Sequence, residues 1–294
     1  MIEKSLIECT VLAPAKINLG LEILGKNNDG YHNVEMVMQT VSLYDKVTVS
    51  VTSNGDINVI CDKNINCESN RNIAYRCAEE FFEYTKIKNP GITIKIAKNI
   101  PMEAGLAGGS TDGAGTLIAL NKIFGTNLST NELMNLGGKI GADIPFCIMK
   151  GTAIATGIGT DLVKIVASQD YHVVIIKPDF SISTKEAYEK SDALDIKNHT
   201  KFDELVKALE EKNTVKIGEN LFNRFESVIS QKEIFYIKDK LINLGANGAI
   251  MSGSGSSVFG IFENSAKASN ALESLKKEYT QVFLCRPISE KDYA

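Results

Sequence analysis

Apolar and polar residues alternate along the N-terminal part of the chain. Every second residue from Ile17 to Ile23 is aliphatic, and a β-prone pattern resumes after the turn at 25–30. Side chains two positions apart lie on the same face of a strand. The alternation therefore predicts antiparallel strands over residues 5–60.

A helical period replaces this alternation near Asn70. Ile73, Cys77 and Phe81 recur every four residues, which places them on one face of a helix. We predict a helix that follows Asn70 and continues to about Tyr84.

Residues 91–125 combine a β-branched strand, a glycine-rich loop and a helix with an apolar stripe. The stripe includes Leu117 and Phe124, and Gly125 is suited to end the helix because glycine readily adopts the left-handed conformation. This order predicts that the glycine-rich loop leads directly into a helix.

A second helix is predicted immediately afterwards. Ser129 and Glu132 have the spacing of a capping box, in which each side chain bonds the other residue's backbone N–H. This helix should end near Gly141, which places Asp143 just beyond its end.

The second half of the chain has a mixed α/β pattern, with helices in most of the intervals between strands. The strands are predicted near residues 171–177, 248–251, 257–262 and 281–287. No proline-rich or low-complexity linker separates the halves. We predict an α/β (α+β) protein with two domains, at 1–155 and 156–294.

Composition and charge exclude several classes of protein. Of 294 residues, 44% are hydrophobic and the formal net charge is -4 with mixed signs, which predicts a folded core and no nucleic-acid partner. The chain has no secretory signal and no run of roughly 18 apolar residues, so we expect a cytoplasmic protein without a membrane partner.

The six cysteines, which form no CxxC pair, should be reduced thiols. They are Cys9, Cys61, Cys67, Cys77, Cys147 and Cys285. An oligomeric state is not predicted.

The glycine-rich loop is the first candidate for chemistry. Gly105, Gly108 and Gly109 permit a backbone whose N–H groups face one anion, and Ser110 and Thr111 open a helix whose N-terminus attracts phosphate. The loop has neither the Gly-Lys-Ser/Thr of a Walker loop nor the GxGxxG of a dinucleotide site, so a lysine must come from elsewhere. On spacing alone, a flexible turn explains it equally well.

A second glycine-serine cluster lies at 253–257, between two predicted apolar strands. A plain hairpin turn explains these residues as readily as a ligand-binding loop does. Two such clusters in one chain favour a binding function for both.

Three blocks of sequence together resemble the GHMP small-molecule kinases: PAKINLGL at 14–21, PMEAGLAGGST at 101–111 and SGSGSS at 252–257. Segments 29–45 and 140–146 are similar to one branch of that family, whose acceptor carries cytidine diphosphate. The resemblance spans nearly the whole chain. It implies a two-domain fold, with an N-terminal domain like domain 2 of ribosomal protein S5 and a ferredoxin-like C-terminal domain.

The resemblance also implies a reaction and its partners. ATP is the co-substrate, and Mg²⁺ is expected because the ATP phosphates need charge neutralisation. The γ-phosphate passes to the 2-hydroxyl of the erythritol moiety of a small-molecule substrate with a cytidine diphosphate group. This step belongs to the non-mevalonate route to isoprenoid precursors.

Lys16 and Asn18 lie on one face of a predicted strand, opposite Ile17 and Leu19. A solvated strand edge with an extended lysine is the ordinary explanation of such a pair. The resemblance instead implies that Lys16 is a catalytic cation and that Asn18 adjoins the acceptor.

Asp143 precedes Ile144-Pro145, where the proline favours an extended backbone at Ile144. A rigidly held carboxylate suits a general base, although aspartate often caps a turn. By resemblance, Asp143 accepts the proton of the acceptor hydroxyl, and Lys16 keeps the aspartate ionised.

The remaining site residues follow from the resemblance. Asn72 and Lys98 match adenine contacts, Tyr188 matches an aromatic residue that stacks on cytosine, and Ser110 is the best candidate for a Mg²⁺ ligand. The implied ATP-binding residues are Asn72, Lys98, Pro101, Met102, Glu103, Ala104, Gly105, Leu106, Ala107, Gly108, Gly109, Ser110 and Thr111. The implied substrate-binding residues are Asn18, Tyr31, His32 and Tyr188.

The loop departs from the family pattern at three positions. Glu103 and Ala107 stand where glycine is common, and Thr111 stands where serine is common. An alanine in left-handed backbone is strained, and a carboxylate at Glu103 repels phosphate unless it points away.

Two other functions are compatible with these patterns. One is a GHMP kinase of the homoserine or mevalonate type, against which Tyr188 and the segment at 29–45 argue. The other is a nucleotide-binding regulator without catalysis, against which Lys16 and Asp143 argue.

Overall fold

The structure, a computed structural model, describes residues 7–27, 30–63, 72–166, 170–192, 201–289 and 292. The chain divides into two compact units that interleave along the sequence. Unit 1 comprises Met1–Ala15, Leu43–Met102 and Ala107–Met149, and unit 2 comprises Lys16–Ser42, Glu103–Leu106 and Lys150–Ala294. The division into domains at 1–155 and 156–294 stays a prediction.

The described residues form strands and helices in alternating groups. The strands are β1 (Glu8–Lys26), β2 (His32–Val51), β3 (Ile57–Cys61), β4 (Ile92–Ala97), β5 (Thr152–Thr156), β6 (Asp161–Ile165), β7 (His172–Ile176), β8 (Phe222–Asn223), β9 (Gly248–Met251), β10 (Val258–Phe262) and β11 (Val282–Cys285). The helices are α1 (Ile73–Thr85), α2 (Gly108–Phe124), α3 (Thr130–Gly138), α4 (Ile144–Met149), α5 (Thr184–Ser191), α6 (Lys201–Glu210), α7 (Thr214–Glu219), α8 (Lys232–Asn243) and α9 (Ser265–Leu275). Most of the predicted elements are thereby confirmed.

Unit 1 packs helices α1 to α4 around a small sheet. β4 pairs antiparallel with the second half of β2, with Lys46 opposite Ala97, and β3 pairs parallel with β4. Alternate residues of β4 are buried together with Phe81 of α1 and Leu117 of α2. The apolar stripes seen in the sequence thus form the core that holds the start of α2.

Unit 2 contains a four-stranded antiparallel sheet in the order β11-β7-β10-β9. In the same unit, β5 pairs antiparallel with the first half of β2 and with β6, and β8 runs parallel to β1 at Gly20 and Phe222. β9 and β10 form a hairpin around residues 252–257. This hairpin brings the second glycine-serine cluster to the end of the sheet.

The backbone around Asp143 differs from the prediction. α3 ends at Gly138 and not near Gly141, and α4 begins at Ile144, so the predicted extended backbone at Ile144 is wrong. Pro145 lies in the first helical turn, where a backbone N–H is not needed, and the burial of Ile144 and Phe146 outweighs the local preference before proline. Asp143 therefore directly precedes a buried helix.

The described cysteines are thiols outside any disulfide bond, and Cys67 lies outside the described residues. Burial raises the pKa of Cys77 and of Cys285 to about 12, so both are unreactive core residues. Among the helices that the structure describes, none is long and apolar enough to cross a membrane.

Candidate active site

The start of α2 provides an anion-binding feature in unit 1. The helix begins at Gly108, two residues before the predicted start, and its N-cap Ala107 makes no side-chain capping bond. In the first turn of this fully described helix there is no acidic side chain. The first N–H groups of a helix have no partner inside it and carry partial positive charge. Gly108, Gly109 and Ser110 can therefore bind phosphate through their backbone.

Two glycines of the loop pack closely against their neighbours, and at Gly105 the packing leaves no room for a side chain. A Cβ on Gly105, at φ +72°, would lie 2.0 Å from the carbonyl oxygen of Ser252. A Cβ on Gly108 would lie 3.2 Å from the Nζ atom of Lys98 and from a methyl carbon of Ile100. The flexible-turn explanation does not account for such packing, whereas a fixed loop does.

Ala107 and Glu103 have left-handed backbone, with φ values of +57° and +49°. The strain predicted for Ala107 is present, because a Cβ in this region approaches its own carbonyl oxygen. Glu103 interacts electrostatically with Lys177, whose pKa is lowered by burial and partly raised again by Asp179 and Glu103. A nearby ammonium group thus offsets part of the repulsion between Glu103 and phosphate.

Ala107→Gly should stabilise the protein by about 0.5–1 kcal/mol, because relief of left-handed strain exceeds the extra entropy of glycine in the unfolded chain. Urea unfolding measures the change. The same substitution at Ala266, an exposed residue in the first turn of α9, should destabilise by up to about 1 kcal/mol. Equal effects at the two sites would contradict the strain at Ala107.

Hydrogen bonds inside unit 2 hold the loop carbonyls. The backbone N–H of Lys16 donates to Leu106 O at 3.1 Å, and that of Ser257 donates to Ala104 O at 3.2 Å. Between them, Ser252 Oγ donates to Gly105 O at 2.9 Å and accepts from the Asn18 backbone N–H at 3.3 Å. Ser252 and Ser257, at the two ends of the hairpin turn, therefore support the glycine-rich loop.

Asn223 holds this second cluster in turn. Its Nδ2 atom donates to Met251 O at 2.7 Å and to Gly253 O at 2.8 Å. Its Oδ1 atom accepts from the Phe225 backbone N–H at 3.0 Å. Asn223 belongs to none of the motif blocks and was not predicted from the sequence.

Lys16 and Asn18 are buried in unit 2, with exposed fractions of 5% and 0%. Lys16 Nζ donates to Asn18 Oδ1 at 2.8 Å, and Asn18 Nδ2 contacts Met36 Sδ at 3.3 Å. A solvated strand edge is therefore excluded. The Lys16 ammonium group is buried, and the Lys16 backbone bonds Leu106 of the glycine-rich loop. A buried lysine beside such a loop is typical of a functional cation.

A second buried lysine lies in unit 1. Lys98 Nζ forms an ion pair with Asp45 and another with Asp112 at 2.8 Å, and Asp45 Oδ1 accepts the backbone N–H groups of Asn99 and Ile100 at 2.6 and 2.8 Å. The pKa of Asp112 is raised to about 7, chiefly by burial; Lys98 lowers it and Asp45 raises it, and both effects are contained in that value. We call these three side chains the Lys98 cluster. Lys98 was predicted as a site residue from the sequence, whereas its partners Asp45 and Asp112 were not.

The other predicted ATP residues of unit 1 have defined structural contacts. Asn72 Oδ1 caps α1 by accepting the Ala74 backbone N–H at 2.8 Å, and Thr111 Oγ1 donates to Pro14 O at 2.8 Å. The carbonyl of Asp143 accepts the N–H of Cys147 at 3.1 Å. The adenine contacts of Asn72 and Lys98, and the pairing of Asp143 with Lys16, stay predictions.

The predicted cytidine residues come together in unit 2. The rings of His32 and Tyr188 are stacked, with centroids 4.5 Å apart and an interplanar angle of 22°. Tyr188 also packs edge-to-face with Phe225 at 4.9 Å. Tyr31 is exposed beside His32. His32 and Tyr188, distant in sequence, thus form one stacked pair, which we call the aromatic site.

Comparison with known proteins agrees with this geometry. Residues 72–151 match the family described as GHMP kinases N terminal domain, and residues 205–281 match GHMP kinases C terminal. Together these matches cover more than half of the chain. The chain belongs to the GHMP kinases.

Individual relatives of this GHMP kinase are also similar over nearly its full length. It is 44% identical over 280 residues to a Clostridium botulinum protein named 4-diphosphocytidyl-2-C-methyl-D-erythritol kinase, covering 95% of this chain and 99% of the relative. A crystal structure of 4-(cytidine 5'-diphospho)-2C-methyl-D-erythritol kinase superposes with a TM-score of 0.80 at 28% identity, covering 95% and 99% of the two chains. Homoserine kinase from Cytophaga hutchinsonii reaches 0.78 at 18% identity, covering 98% of each chain, a likeness of fold alone.

Within the described residues, no group of three or more His, Cys, Asp or Glu side chains could hold a metal ion. Mg²⁺ that arrives with ATP requires few protein ligands, since it keeps several waters and binds phosphate oxygens. The partly buried Ser110, at the start of α2, fits such a role.

Proposed function

We propose that this GHMP kinase phosphorylates the 2-hydroxyl of 4-diphosphocytidyl-2-C-methyl-D-erythritol with ATP, a step in the non-mevalonate route to isoprenoid precursors. The observation that carries the proposal is the 44% identity over 95% of the chain to a protein of that name. The fixed loop, the anion-binding start of α2 and the aromatic site all support it. The proposal includes a cytoplasmic location, since the reaction draws on ATP.

Each part of the site has a role in this reaction. The backbone N–H groups at the start of α2 hold the ATP phosphates. Mg²⁺ bound with ATP would neutralise further phosphate charge, with Ser110 as its candidate protein ligand. Asp143 accepts the proton of the 2-hydroxyl as that oxygen attacks the γ-phosphorus, and the bond from the γ-phosphorus to the bridging oxygen breaks to release ADP. Lys16 stabilises the charge that develops, and Asn18 fixes the Lys16 ammonium through its 2.8 Å hydrogen bond.

The test is an assay of ADP release with ATP, Mg²⁺ and a panel of alcohols. The panel contains the cytidylyl methylerythritol, homoserine and mevalonate. Turnover confined to the first compound supports the proposal. Preferred turnover of homoserine or mevalonate would establish the alternative type of GHMP kinase, and ATP binding without turnover of any alcohol would favour a regulator.

Tyr188→Ala should raise KM for the cytidylyl substrate about tenfold or more, because stacking of a base on an aromatic ring contributes about 1–3 kcal/mol. The KM for ATP should stay within about twofold, since Tyr188 lies in the aromatic site and not at the start of α2. Steady-state kinetics with each substrate varied in turn measure both values. An unchanged KM for the cytidylyl substrate would remove Tyr188 from the base site.

A further inference from the structure

Asp192 contacts two predicted substrate residues from a position that no motif block contains. It directly follows α5, the helix that carries Tyr188, and its backbone N–H donates to Tyr188 O at 3.1 Å. Its Oδ1 atom lies 2.5 Å from Nε2 of His32, the first residue of β2. One residue thus bonds both members of the stacked aromatic pair.

A lysine completes the arrangement around this carboxylate. Lys26, the last residue of β1, places Nζ 2.8 Å from Asp192 Oδ2. Hydrogen bonds from His32 and Lys26 lower the pKa of Asp192, so the carboxylate is ionised and can only accept hydrogen bonds. The proton in the contact with His32 therefore belongs to Nε2 of the imidazole ring.

These contacts restrict the orientation of the His32 ring. Its side chain is 9% exposed, whereas the side chains of Asp192 and Lys26 are 34% and 49% exposed. An imidazole has two flat faces and rotates about χ2 unless a hydrogen bond at its edge fixes the plane. The bond to Asp192 holds the edge while Tyr188 covers a face, so the ring plane is defined before any ligand binds.

We propose that Asp192 is a positioning residue for the pyrimidine end of the substrate, acting through His32 and through the end of the Tyr188 helix. The inference rests on the proposed function, because it takes the aromatic site to be the place where cytosine binds. Aromatic recognition depends on ring orientation, and a preformed orientation reduces the entropy lost on binding. Asp192 therefore acts on binding of the base and not on phosphoryl transfer.

The experiment compares Asp192→Asn and Asp192→Ala with the wild-type enzyme. Asp192→Ala should weaken binding of cytidine monophosphate and raise KM for the cytidylyl substrate by about five- to tenfold, the order expected when a stacking site loses a fixed orientation. Asp192→Asn, which loses the charge but keeps an acceptor oxygen for His32, should have a smaller effect. The kcat and the KM for ATP should change by less than about twofold. Loss of folded protein would instead lower the apparent kcat and leave both KM values unchanged. Calorimetry with cytidine monophosphate and steady-state kinetics give these values.

Glu189→Gln is the matched control. Glu189 lies on the same helix, in an exposed pair with Lys185 at 3.8 Å, and its substitution removes a carboxylate without touching the aromatic pair. Cytidine monophosphate binding should be unchanged in this variant. Lys26→Met should have a smaller effect than Asp192→Ala, because the bond to His32 remains.

The outcomes separate this inference from the proposed function. If the wild-type protein binds cytidine monophosphate and Asp192→Ala binds it as tightly as the wild type, the positioning role alone is overturned. A fall in kcat with unchanged binding of cytidine monophosphate would also overturn it. Wild-type protein that neither binds cytidine monophosphate nor phosphorylates the cytidylyl substrate would overturn both.

Discussion

Asp143→Asn is expected to lower kcat by about two to four orders of magnitude, the range that a positioned general base contributes. Asparagine keeps the shape of the side chain but cannot accept the proton of the 2-hydroxyl. The Kd for ATP should change by less than about twofold, because in the proposed reaction backbone N–H groups at the start of α2, and not Asp143, hold the phosphates. Single-turnover kinetics and calorimetry measure these quantities separately.

Asp239→Asn is a suitable control for this experiment. Asp239 is an exposed residue of α8, so the same chemical change occurs far from any predicted site residue in the sequence. The kcat of the Asp239→Asn variant should equal that of the wild type. Near-normal turnover by Asp143→Asn would end the assignment of Asp143 as the base and leave proton transfer to solvent or substrate.

Lys98→Met should destabilise the protein by about 3–5 kcal/mol, the usual effect of removing one partner of a buried ion pair. Methionine fills a similar volume, but Asp45 and Asp112 would then face each other without a cation. Burial has already raised the pKa of Asp112 to about 7, and loss of the ammonium group would raise it further. Urea unfolding measures the decrease in the free energy of unfolding, and the m-value should be unchanged.

The destabilisation by Lys98→Met should depend on pH in a defined direction. At pH 6 Asp112 is mostly protonated in the folded state, so only Asp45 loses a counter-ion. At pH 8 the folded variant must either keep a proton on Asp112 or bury two like charges, whereas the unfolded chain ionises freely. The loss of stability relative to the wild type should therefore be larger at pH 8 than at pH 6.

The double variant Lys98→Met, Asp112→Asn is the matched control for charge. It removes one positive and one negative group, so fewer uncompensated charges remain and the protein should be more stable at pH 8 than Lys98→Met alone. If the single and double variants were equally stable at pH 8, repulsion between Asp45 and Asp112 would not be the cause. Such a result would point to lost packing of the lysine stem.

Periodicity and capping patterns predicted most of the elements because their causes are local. The capping box of Ser129 and Glu132 is present as predicted, and α1 ends at Thr85, next to the predicted Tyr84. Both depend on side chains within a few residues of each other. The extended backbone predicted at Ile144 was wrong, because burial of Ile144 and Phe146 in the core outweighs the local preference of a residue before proline.

The contacts that support the loop could not be predicted, since they join residues far apart in the chain. Ser252 bonds Gly105 across 147 positions, and Asp45 meets Lys98 across 53. The residues next to Asp45, Asp192 and Asn223 in the sequence do not indicate which distant groups these side chains contact. The resemblance did name Lys16, Asn18 and the loop, because family motifs carry information about contacts that spacing alone lacks.

The three consecutive loop carbonyls bear on inhibitor design. Ala104, Gly105 and Leu106 each have their carbonyl oxygen occupied by a donor of the same protein. A compound that offers hydrogen-bond donors to these oxygens would have to displace existing bonds, with little net gain. Compounds that present acceptor atoms, such as sulfonates or carboxylates, instead match the N–H groups that α2 leaves unpaired. Chemists seeking selective ligands for this loop should therefore favour compact anions over amines.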